Sequence, residues 1–419
     1  MQTRKYSSGR ALTLVVAQSS NRSSRVAYSL GLVLLSTSYA SRLTRRAGEA
    51  VRSMADAARV LTPANALTAR CSRPVSFPAV ADDPLVARCC GQLHAQRHSV
   101  DGYESRCIEC LLSRREPFFI GRTGMGHESW TACLAVTNNT NTSYWPLIRK
   151  YLAFKNGVPT ASTSDAVDFG NCYAAAVNAS DLMVRWGARV VKDLRVGGHS
   201  RASVKGLVKG GKCGGRWADT FLKSDILLAQ SGHWPHRSFS EEVVQEPYRL
   251  DLNVTWLSAL AGKTVLIVHP FNASITSQLA RGGKAIWGEW ADRLLPPSIR
   301  FKIVVPPVSF AGGDEFKGWR AALDALLRRV DAAGPFDVAL LACGGLGMPL
   351  GAYLRDTGRS SIYIGGALQI WFGIVGNRWR GFQKKNSMLA KLMNNSNWVA
   401  PLPSERPPGY KTEESSAYW

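Results

Sequence analysis

The sequence predicts an α/β protein built on a doubly wound, mostly parallel sheet with helices on both faces. Four short apolar runs follow Lys263, namely TVLIVHP, FKIVVPP, FDVALLACGG and SSIYIGG, and helical segments separate them. None of the four alternates polar with apolar residues, which is typical of strands buried on both faces of a parallel sheet. The chain of 419 residues, 45% hydrophobic and 20% charged, is also long enough for one large core or two medium ones.

The remaining elements follow in chain order. Phe118 to Gly121 is a short apolar run that predicts a strand, and a glycine turn and a helix from about Glu128 follow it. Residues 144–260 mix helical stretches, WPLIRKYLAF and WADTFLKSDILLAQ, with a Gly- and Lys-rich loop, VKGLVKGGKCGGR. Between the second and third runs a helix is expected because apolar residues recur on one face: Phe316, Trp319, Leu323, Leu326, Leu327 and Val330.

The stretch SSIYIGGALQIWFGIVGNRW, residues 360–379, has no charged residue before Arg378 and raises the question of a membrane span. Its first residues complete the fourth apolar run, and Gly365-Gly366 then interrupts it. Four glycines within twelve residues and the nearby Arg378 argue against a span. We predict a buried strand, a turn and a helix.

Residues 1–45 are predicted to be a targeting segment. Up to Arg59 the chain has ten Lys or Arg and two acids, and an apolar block runs from Val26 to Ala40. Fifteen residues are few for a bilayer span, but they suit a signal peptide or a short signal anchor. An organelle transit peptide, which is also Arg- and Ser-rich and poor in acids, is the alternative.

Glycosylation sequons and cysteines favour the secretory pathway. Seven asparagines lie in N-x-[ST]: Asn21, Asn138, Asn141, Asn178, Asn253, Asn272 and Asn394. Five of the nine cysteines precede residue 114, and in a lumen they would form disulfides, with one thiol left over. A zinc site is the alternative, with these ligands: Cys107, Cys110, Cys89, Cys90 and His94 or His98. We expect an ER or Golgi protein, secreted or type II anchored, with membrane association through its N-terminus.

The net charge of +22 raises the question of a nucleic-acid partner. The sequence contains no recognised nucleic-acid module, and the Lys- and Gly-rich loop at 205–215 has no interleaved aromatic residues. Acidic glycans and membrane headgroups are equally compatible with a basic chain. We expect no specific nucleic-acid partner.

Two of the predicted strands end in glycine turns, and a helix is expected to begin at each of these turns. They are Cys343-Gly344-Gly345-Leu346-Gly347 and Gly365-Gly366. Open parallel sheets bind ligands beyond these strand ends, where backbone N–H groups meet a phosphate without intervening side chains. Tight packing of helix on strand is the other explanation for such glycines. The pattern predicts a phosphorylated ligand, a nucleotide. An NAD(P)-dependent oxidoreductase is less favoured, because the strand that should end in a ribose-binding acid ends in Gly365-Gly366.

Several motifs together resemble the GT-D-type glycosyltransferases. They are Gly121-Arg122-x-Gly124 with Glu128, GKTVLIVHPFNASITSQ, FDVALLACGGLGMPLG, SSIYIGGALQIWFGIVGNRW and a terminal W-x-x-P-x(3)-E-R-P. The similarity is to an uncharacterised branch that shares G-G-A-L-Q-x-x-F-G-I-x-G-x-R-W, and it covers residues 118–419. It implies one Rossmann-like catalytic domain, which we assign to residues 114–419, after a basic, Cys-containing stem at 46–113.

The resemblance implies transfer of a sugar from a nucleotide-diphosphate sugar to a hydroxyl of a glycan or glycoprotein. Such a transfer needs groups that neutralise the leaving diphosphate and a carboxylate that takes the acceptor proton. We assign nucleotide-sugar binding to these motif residues: Gly121, Arg122, Gly124, Asn272, Ser274, Gly344, Gly345, Gly347, Gly365, Gly366, Gln369 and Arg378. The alternative is a non-catalytic nucleotide- or glycan-binding protein on the same fold.

The expected metal-binding pair is incomplete in this chain. Characterised members of the fold hold Mn or Mg with an Asp-x-Glu pair, and Gly126 stands here at the Asp position, so that only Glu128 remains. The catalytic candidates are Glu128, His269 and Asp314. Either Glu128 binds a metal with His127, or it acts with an acid such as Asp314 or Glu315, or the metal is dispensable. Glu128 as a plain helix N-terminal acid and His269 as a plain strand-end histidine remain the alternatives.

Overall fold

The computed structural model describes residues 71, 84–90, 100–123, 127–137, 143–185, 238–240, 243–244, 255–309, 311, 313, 315–380, 388–411 and 418–419. All of them lie in one of the two compact units of the chain, Pro63–Trp419. The other unit, Met1–Thr62, contains the predicted targeting segment, which lies outside the described residues. Within the described part of the chain, no helix is both long and apolar enough to cross a membrane.

Seven parallel strands form the sheet. In chain order they are β1 (Phe119–Arg122), β2 (Leu182–Arg185), β3 (Ser238–Ser240), β4 (Thr264–Val268), β5 (Arg300–Val304), β6 (Val338–Leu341) and β7 (Ser361–Tyr363). Their spatial order is β3-β2-β1-β7-β6-β4-β5, and every pairing between them is parallel. The predicted α/β class is confirmed, and the apolar runs that predicted strands form β1, β4, β5, β6 and β7.

The helices of the described residues connect and cover the strands. They are α1 (Pro84–Cys90), α2 (Val100–Ser113), α3 (His127–Val136), α4 (Trp145–Asn156), α5 (Thr163–Ala179), α6 (Asn272–Arg281), α7 (Gly283–Trp287), α8 (Ala291–Leu294), α9 (Trp319–Ala332), α10 (Gly347–Asp356), α11 (Leu368–Trp371), α12 (Asn377–Arg380) and α13 (Met388–Met393). The helices predicted near residues 128, 144 and 316 are α3, α4 and α9. The predicted helix WADTFLKSDILLAQ and the loop VKGLVKGGKCGGR lie outside the described residues.

Both faces of the sheet are covered, which explains the continuous apolar runs. In β4, Val265 and Ile267 belong to one buried cluster, whereas Leu266 and Val268 belong to the other. The first cluster also contains residues of α1, α2 and α6, and the second contains residues of α3, α5, α9 and α10. Because successive side chains of a strand point to opposite faces, a strand covered on both sides needs apolar residues at every position.

Two helices, α1 and α2, lie within the region that we assigned to a stem. Their apolar residues belong to the first buried cluster, together with those of the sheet. Disulfides join cysteines of this region to one another and to α5: Cys89–Cys110, Cys90–Cys107 and Cys71–Cys172. The four cysteines of the alternative zinc site are therefore all disulfide-bonded, and this site is not formed.

The uncharged stretch 360–379 folds as a strand, a turn and a helix, as predicted. Its strand is β7, the turn contains Gly365 and Gly366, and the helix is α11. β7 lies between β1 and β6, and its three residues are all buried. Burial in the centre of the sheet accounts for the absence of charge in this stretch.

Candidate functional site

A pocket opens at the carboxyl edge of the sheet, where the loops after β1, β4, β5, β6 and β7 meet. It holds about 1030 Å³ of empty space, counted out to its open mouth. β4 leads outward to β5 whereas β6 leads back to β7, so the connections diverge between two adjacent strands, β4 and β6. Ligands of open parallel sheets bind at such a switch point. The pocket lies where the glycine and polar strand ends led us to expect a ligand.

Tyr363 lies at the centre of the polar side of the pocket. Its hydroxyl donates a 2.6 Å hydrogen bond to the carbonyl of Gly344. The guanidinium of Arg122 lies 5.7 Å from the centre of the Tyr363 ring. Burial and then the negative charge of Glu128 raise the pKa of Tyr363 well above its ordinary value, and the charge of Arg122 opposes them. Arg122 and Glu128 thus both lie close enough to the Tyr363 side chain to shift its pKa.

Glu128 is a buried acid in the first turn of α3, only 2% exposed. Its Cγ would lie 3.2 Å from a Cβ built on Gly345, so this side chain packs against the glycine turn after β6. The preceding His127 stacks on Tyr151, with 4.8 Å between the ring centroids. Both Glu128 and His127 line the pocket. A helix N-terminus favours an acid, but here the acid is buried at a cavity wall.

His269 follows β4, lines the pocket and is 2% exposed. Its Nδ1 accepts a 3.0 Å hydrogen bond from the backbone N–H of Phe271. Burial lowers the pKa of His269 to about 3, so the ring is neutral at physiological pH. An accepting Nδ1 in a neutral ring places the proton on Nε2. His269 therefore offers the pocket an N–H donor.

The turn after β7 is a pocket wall built from close contacts. Gly365 has φ of +82°, and a Cβ there would collide with the guanidinium of Arg122. A Cβ on Gly366 would collide with the ring of Tyr418. Both glycines line the pocket. This turn therefore needs glycine because an arginine on one side and an aromatic ring on the other lie against its backbone.

The turn after β6 combines pocket lining with packing. Gly344 lines the pocket, and its carbonyl accepts the hydrogen bond from Tyr363. Gly345 and Gly347 do not line it: a Cβ on Gly345 would lie 2.5 Å from Val158, and one on Gly347 would lie 2.7 Å from Tyr363. For these two glycines the packing explanation holds in the structure.

Three further predicted binding residues do not line the pocket. Gly121 is inside β1, where a Cβ would lie 2.6 Å from the sulfur of Met183. Asn272 is exposed at the start of α6, and the buried Ser274 is bonded to Glu405. Two other predicted residues, Gly124 and Asp314, lie outside the described residues. Of the acids considered with Glu128, Glu315 is exposed, pairs with Arg329 and does not line the pocket.

The C-terminal residues Tyr418 and Trp419 form one wall of the pocket. The Nε2 group of Gln369, which also lines the pocket, donates to the carbonyl of Tyr418 at 3.2 Å. Arg378 does not line the pocket, but its Nη1 donates to the hydroxyl oxygen of Tyr418 at 3.1 Å. Two residues predicted to bind the nucleotide thus hold the C-terminal wall in place.

Aromatic residues line this side of the pocket. The ring of Trp419 lies edge-on to Phe271, with 5.8 Å between the centroids, and the Phe271 ring lies 4.8 Å from that of His269. All three residues are buried. The pocket therefore has a polar side at Tyr363, Arg122 and Glu128 and an aromatic side that the end of the chain completes.

Sequence reasoning missed the residues that α4 contributes. Lys155, Asn156 and Gly157 line the pocket at the C-terminal end of this helix. The hydroxyl of Ser309, which follows β5, donates to the carbonyl of Gly157 at 2.8 Å and fixes this corner. The sequence alone indicates only that α4 ends here, because a glycine follows a last helical turn that contains a lysine. That the helix ends at the pocket depends on the packing of α4 beside the sheet.

No protein-family profile, curated protein or solved structure matches the chain. The function is therefore inferred from the chemistry of the pocket and from the motifs of the sequence. The pocket offers two cationic side chains, Arg122 and Lys155, and one buried carboxylate, Glu128. His269 adds an N–H donor. Such a set suits a ligand that carries anionic groups and a hydroxyl that loses a proton.

Proposed function

We propose that this protein is a glycosyltransferase that transfers a sugar from a nucleotide-diphosphate sugar to a hydroxyl of a glycan or glycoprotein. The main support is that one pocket beyond the strand ends is lined by two cations, Arg122 and Lys155, and by the buried carboxylate of Glu128. Transfer from a diphosphate donor requires both kinds of group in one place. The sequence motifs support the same activity.

In the proposed reaction the acceptor hydroxyl attacks the anomeric carbon of the donor sugar. A bond forms between the acceptor oxygen and this carbon, and the bond from the carbon to the diphosphate oxygen breaks. The diphosphate leaves with the electron pair, and the acceptor proton passes to the carboxylate of Glu128. We assign neutralisation of the leaving diphosphate to Arg122 and Lys155, because charge stabilisation by fixed cations is strongest in a buried site.

We assign His269 the role of a hydrogen-bond donor to the nucleotide sugar. Its Nδ1 is occupied by the N–H of Phe271, so a base would have to act through Nε2, which carries the proton. With a pKa of about 3, the ring does not take up a proton near neutral pH. A fixed neutral donor suits a phosphate or sugar oxygen.

The resemblance implies a divalent metal, but the described side chains around Glu128 do not by themselves supply a full set of ligands. Among the described residues there is no group of three or more His, Cys, Asp or Glu that could hold an ion. The ring of His127, the ligand that we considered beside Glu128, is stacked on Tyr151. We therefore derive no step through a metal, and the two cations take over the neutralisation of charge.

We also propose that the protein resides in the lumen of the secretory pathway, in the ER or Golgi. Its disulfides require an oxidising compartment. Two sequon asparagines within the described residues, Asn272 and Asn394, are exposed. Expression in a eukaryotic host followed by glycosidase digestion tests this, since an unchanged gel mobility would contradict luminal residence.

A donor screen on the full chain tests the enzymatic function. UDP- and GDP-sugars are incubated with glycan acceptors, in the presence of Mn²⁺, Mg²⁺ or EDTA, and release of the nucleoside diphosphate is measured. We expect release with at least one donor and a loss of about 10²-fold in Arg122→Gln, by analogy with other groups that stabilise transition-state charge. Arg320→Gln is the matched control, because Arg320 pairs with Asp168 and does not line the pocket.

The screen separates the proposal from its alternative. Nucleotide release that Arg122→Gln abolishes and Arg320→Gln preserves supports the glycosyltransferase. Tight binding of UDP or GDP without release for any donor supports a non-catalytic nucleotide-binding protein. Binding of neither nucleotide overturns both.

A further inference from the structure

Gln369 lines the pocket and holds a buried hydrogen-bond acceptor in a fixed orientation. Its Nε2 donates to the carbonyls of Ile374 at 3.1 Å and Tyr418 at 3.2 Å, which uses both of its N–H groups. The orientation of the amide is thereby set, because a reversed amide would place its single oxygen against two carbonyl oxygens. The remaining atom, Oε1, is buried and accepts no hydrogen bond from any described residue. Gln369 itself is 0% exposed and lines the pocket.

Asn156 also lines the pocket and holds a second buried acceptor. It is the last residue of α4 and is 8% exposed. Its backbone carbonyl lies against Gly344, in the turn after β6. Its Oδ1 is buried and, among the residues that the structure describes, has no hydrogen-bond donor. Two residues that line the pocket, one on α4 and one on α11, therefore have a buried carboxamide oxygen without a donor among the described residues.

A buried acceptor without a donor costs free energy in the unliganded protein, and a ligand that supplies the donor recovers it. Gln278 shows that such an atom alone does not mark a site. Its Nε2 donates to three backbone carbonyls and its Oε1 has no donor within the described part of the chain, yet it lies outside the pocket. Asn156 and Gln369 differ from Gln278 because both residues line the pocket.

The chemistry of the ligand follows from what it must donate. A diphosphate offers only acceptors, so it does not satisfy either carboxamide oxygen. A nucleobase offers donors along one edge, and the ribose of a nucleotide offers two hydroxyls that are adjacent to one another. Asn156 lies at the turn after β6, whereas Gln369 lies against the C-terminal wall, so the donors must point to separate parts of the pocket. A sugar ring, which has hydroxyl groups around its circumference, meets this requirement.

We infer that Asn156 and Gln369 are specificity-determining residues, whose amide oxygens accept hydrogen bonds from hydroxyl groups of a sugar in this pocket. The inference rests on the proposed function and deepens it, because it identifies which side chains recognise the sugar. The hydroxyls belong either to the transferred sugar or to the acceptor. Both sources have the same chemistry, and the two arms of the experiment distinguish them.

The experiment measures binding by calorimetry with the full chain and with two variants, Asn156→Leu and Gln369→Met. The donor arm compares UDP with UDP-glucose and UDP-galactose, and GDP with GDP-mannose. The acceptor arm adds the methyl glycosides of these sugars to protein saturated with UDP or GDP. We expect binding of the sugar, measured relative to binding of the nucleoside diphosphate alone to the same variant, to weaken about three- to tenfold in one arm, since each variant loses one neutral hydrogen bond.

Stability measurements and Gln278→Met distinguish recognition from folding. Asn156→Leu replaces a buried acceptor without a donor by an apolar group of similar size, so its melting temperature should be unchanged or higher while its sugar binding weakens. Gln369→Met and Gln278→Met both lose bonds to backbone carbonyls and should melt earlier. Of these two, only Gln369→Met should weaken sugar binding.

The outcomes are separable. If both Asn156→Leu and Gln369→Met retain wild-type sugar binding in both arms, the inference is wrong while nucleotide binding stands. Equal losses in Gln278→Met and Gln369→Met also overturn the role of Gln369, because they indicate an effect of folding. If the wild type binds neither nucleotide nor nucleotide sugar, the proposed function itself fails, and the inference fails with it.

Discussion

The carboxylate of Glu405 caps the N-terminus of α6 by accepting hydrogen bonds from the backbone N–H and the hydroxyl of Ser274. It also accepts a 2.7 Å bond from the N–H of Ala273. The side chain thus occupies a helix N-terminus at the edge of the sheet, where an anion is favoured. The residue belongs to the terminal W-x-x-P-x(3)-E-R-P motif, and this contact gives the motif a structural role: it anchors the segment that leads to the pocket wall.

Glu405→Gln should lower the free energy of unfolding by about 1–2 kcal/mol. The amide retains one acceptor oxygen but loses the charge that strengthens the bonds to Ala273 and Ser274 and that complements the helix dipole. Urea unfolding monitored by tryptophan fluorescence measures the change. Glu289→Gln is the matched control, because Glu289 is exposed and caps no long helix. Equal stabilities of the two variants would contradict the anchoring role of Glu405.

Gly351→Ala should destabilise the protein by about 1–3 kcal/mol through overpacking. A Cβ at this position of α10 would collide with the ring of Phe119 in β1, and both residues are buried. Thermal melting measures the effect. At Gly318 a side chain would meet no atom within 4 Å. Gly318→Ser, at the N-cap of α9, should be neutral or slightly stabilising, and a matching loss there would disprove the packing explanation.

The stability of the protein should fall as the pH drops below 6.5, in part because of His269. Burial lowers the pKa of this ring to about 3, whereas the unfolded chain has the ordinary value of 6.5. Between these values the unfolded state binds a proton that the folded state does not, so unfolding becomes more favourable by up to about 1.4 kcal/mol per pH unit. The contribution of His269 is complete above pH 6.5 and is lost as the pH falls toward 3.

His269→Gln tests this pH dependence. Glutamine retains an acceptor for the N–H of Phe271 but does not titrate. Urea unfolding under non-reducing conditions, from about pH 7 to about pH 4.5, should give a shallower loss of stability for the variant than for the wild type. Parallel curves would show that His269 is protonated in the folded state over this range.

Glu128→Gln should reduce sugar transfer by about 10²-fold or more and leave the melting temperature nearly unchanged. As a plain helix N-terminal acid, Glu128 would contribute only about 0.3–1 kcal/mol to stability, and its loss would not affect turnover. Initial rates with the donor found in the screen measure the effect, and Glu289→Gln serves as the control. Near-parental rates would remove Glu128 from the chemistry and make Asp314 the next residue to test.

The sequence located the strands better than it located the site. The runs at β4, β5, β6 and β7 were recognisable because a strand buried on both faces has few polar residues. β2 and β3 were missed, since LMVR ends in an arginine and SFS has serines on both sides of its phenylalanine, so that neither stands out as a continuous apolar run. The helices α1 and α2 also showed no sustained periodicity, although α2 contributes buried residues to a core.

Among the predicted site residues, the sequence correctly indicated the strand ends but could not separate lining from packing. Arg122, Gly365 and Gly366 line the pocket together, whereas Gly345 and Gly347 accommodate the side chains of Val158 and Tyr363. Both uses require glycine for the same reason, the absence of a Cβ. Only the neighbours that approach each glycine distinguish them.

The sequence by itself therefore determined the α/β class, the central strands and the edge of the sheet at which the pocket lies, because these depend on local patterns of apolar residues and glycine. Tertiary structure alone decided that α4 brings Lys155 and Asn156 to that edge and that Tyr418 and Trp419 close it from the end of the chain. It also decided that Glu405 reaches Ser274 across 131 residues. Contacts at such separations depend on how the helices pack, which no local pattern encodes.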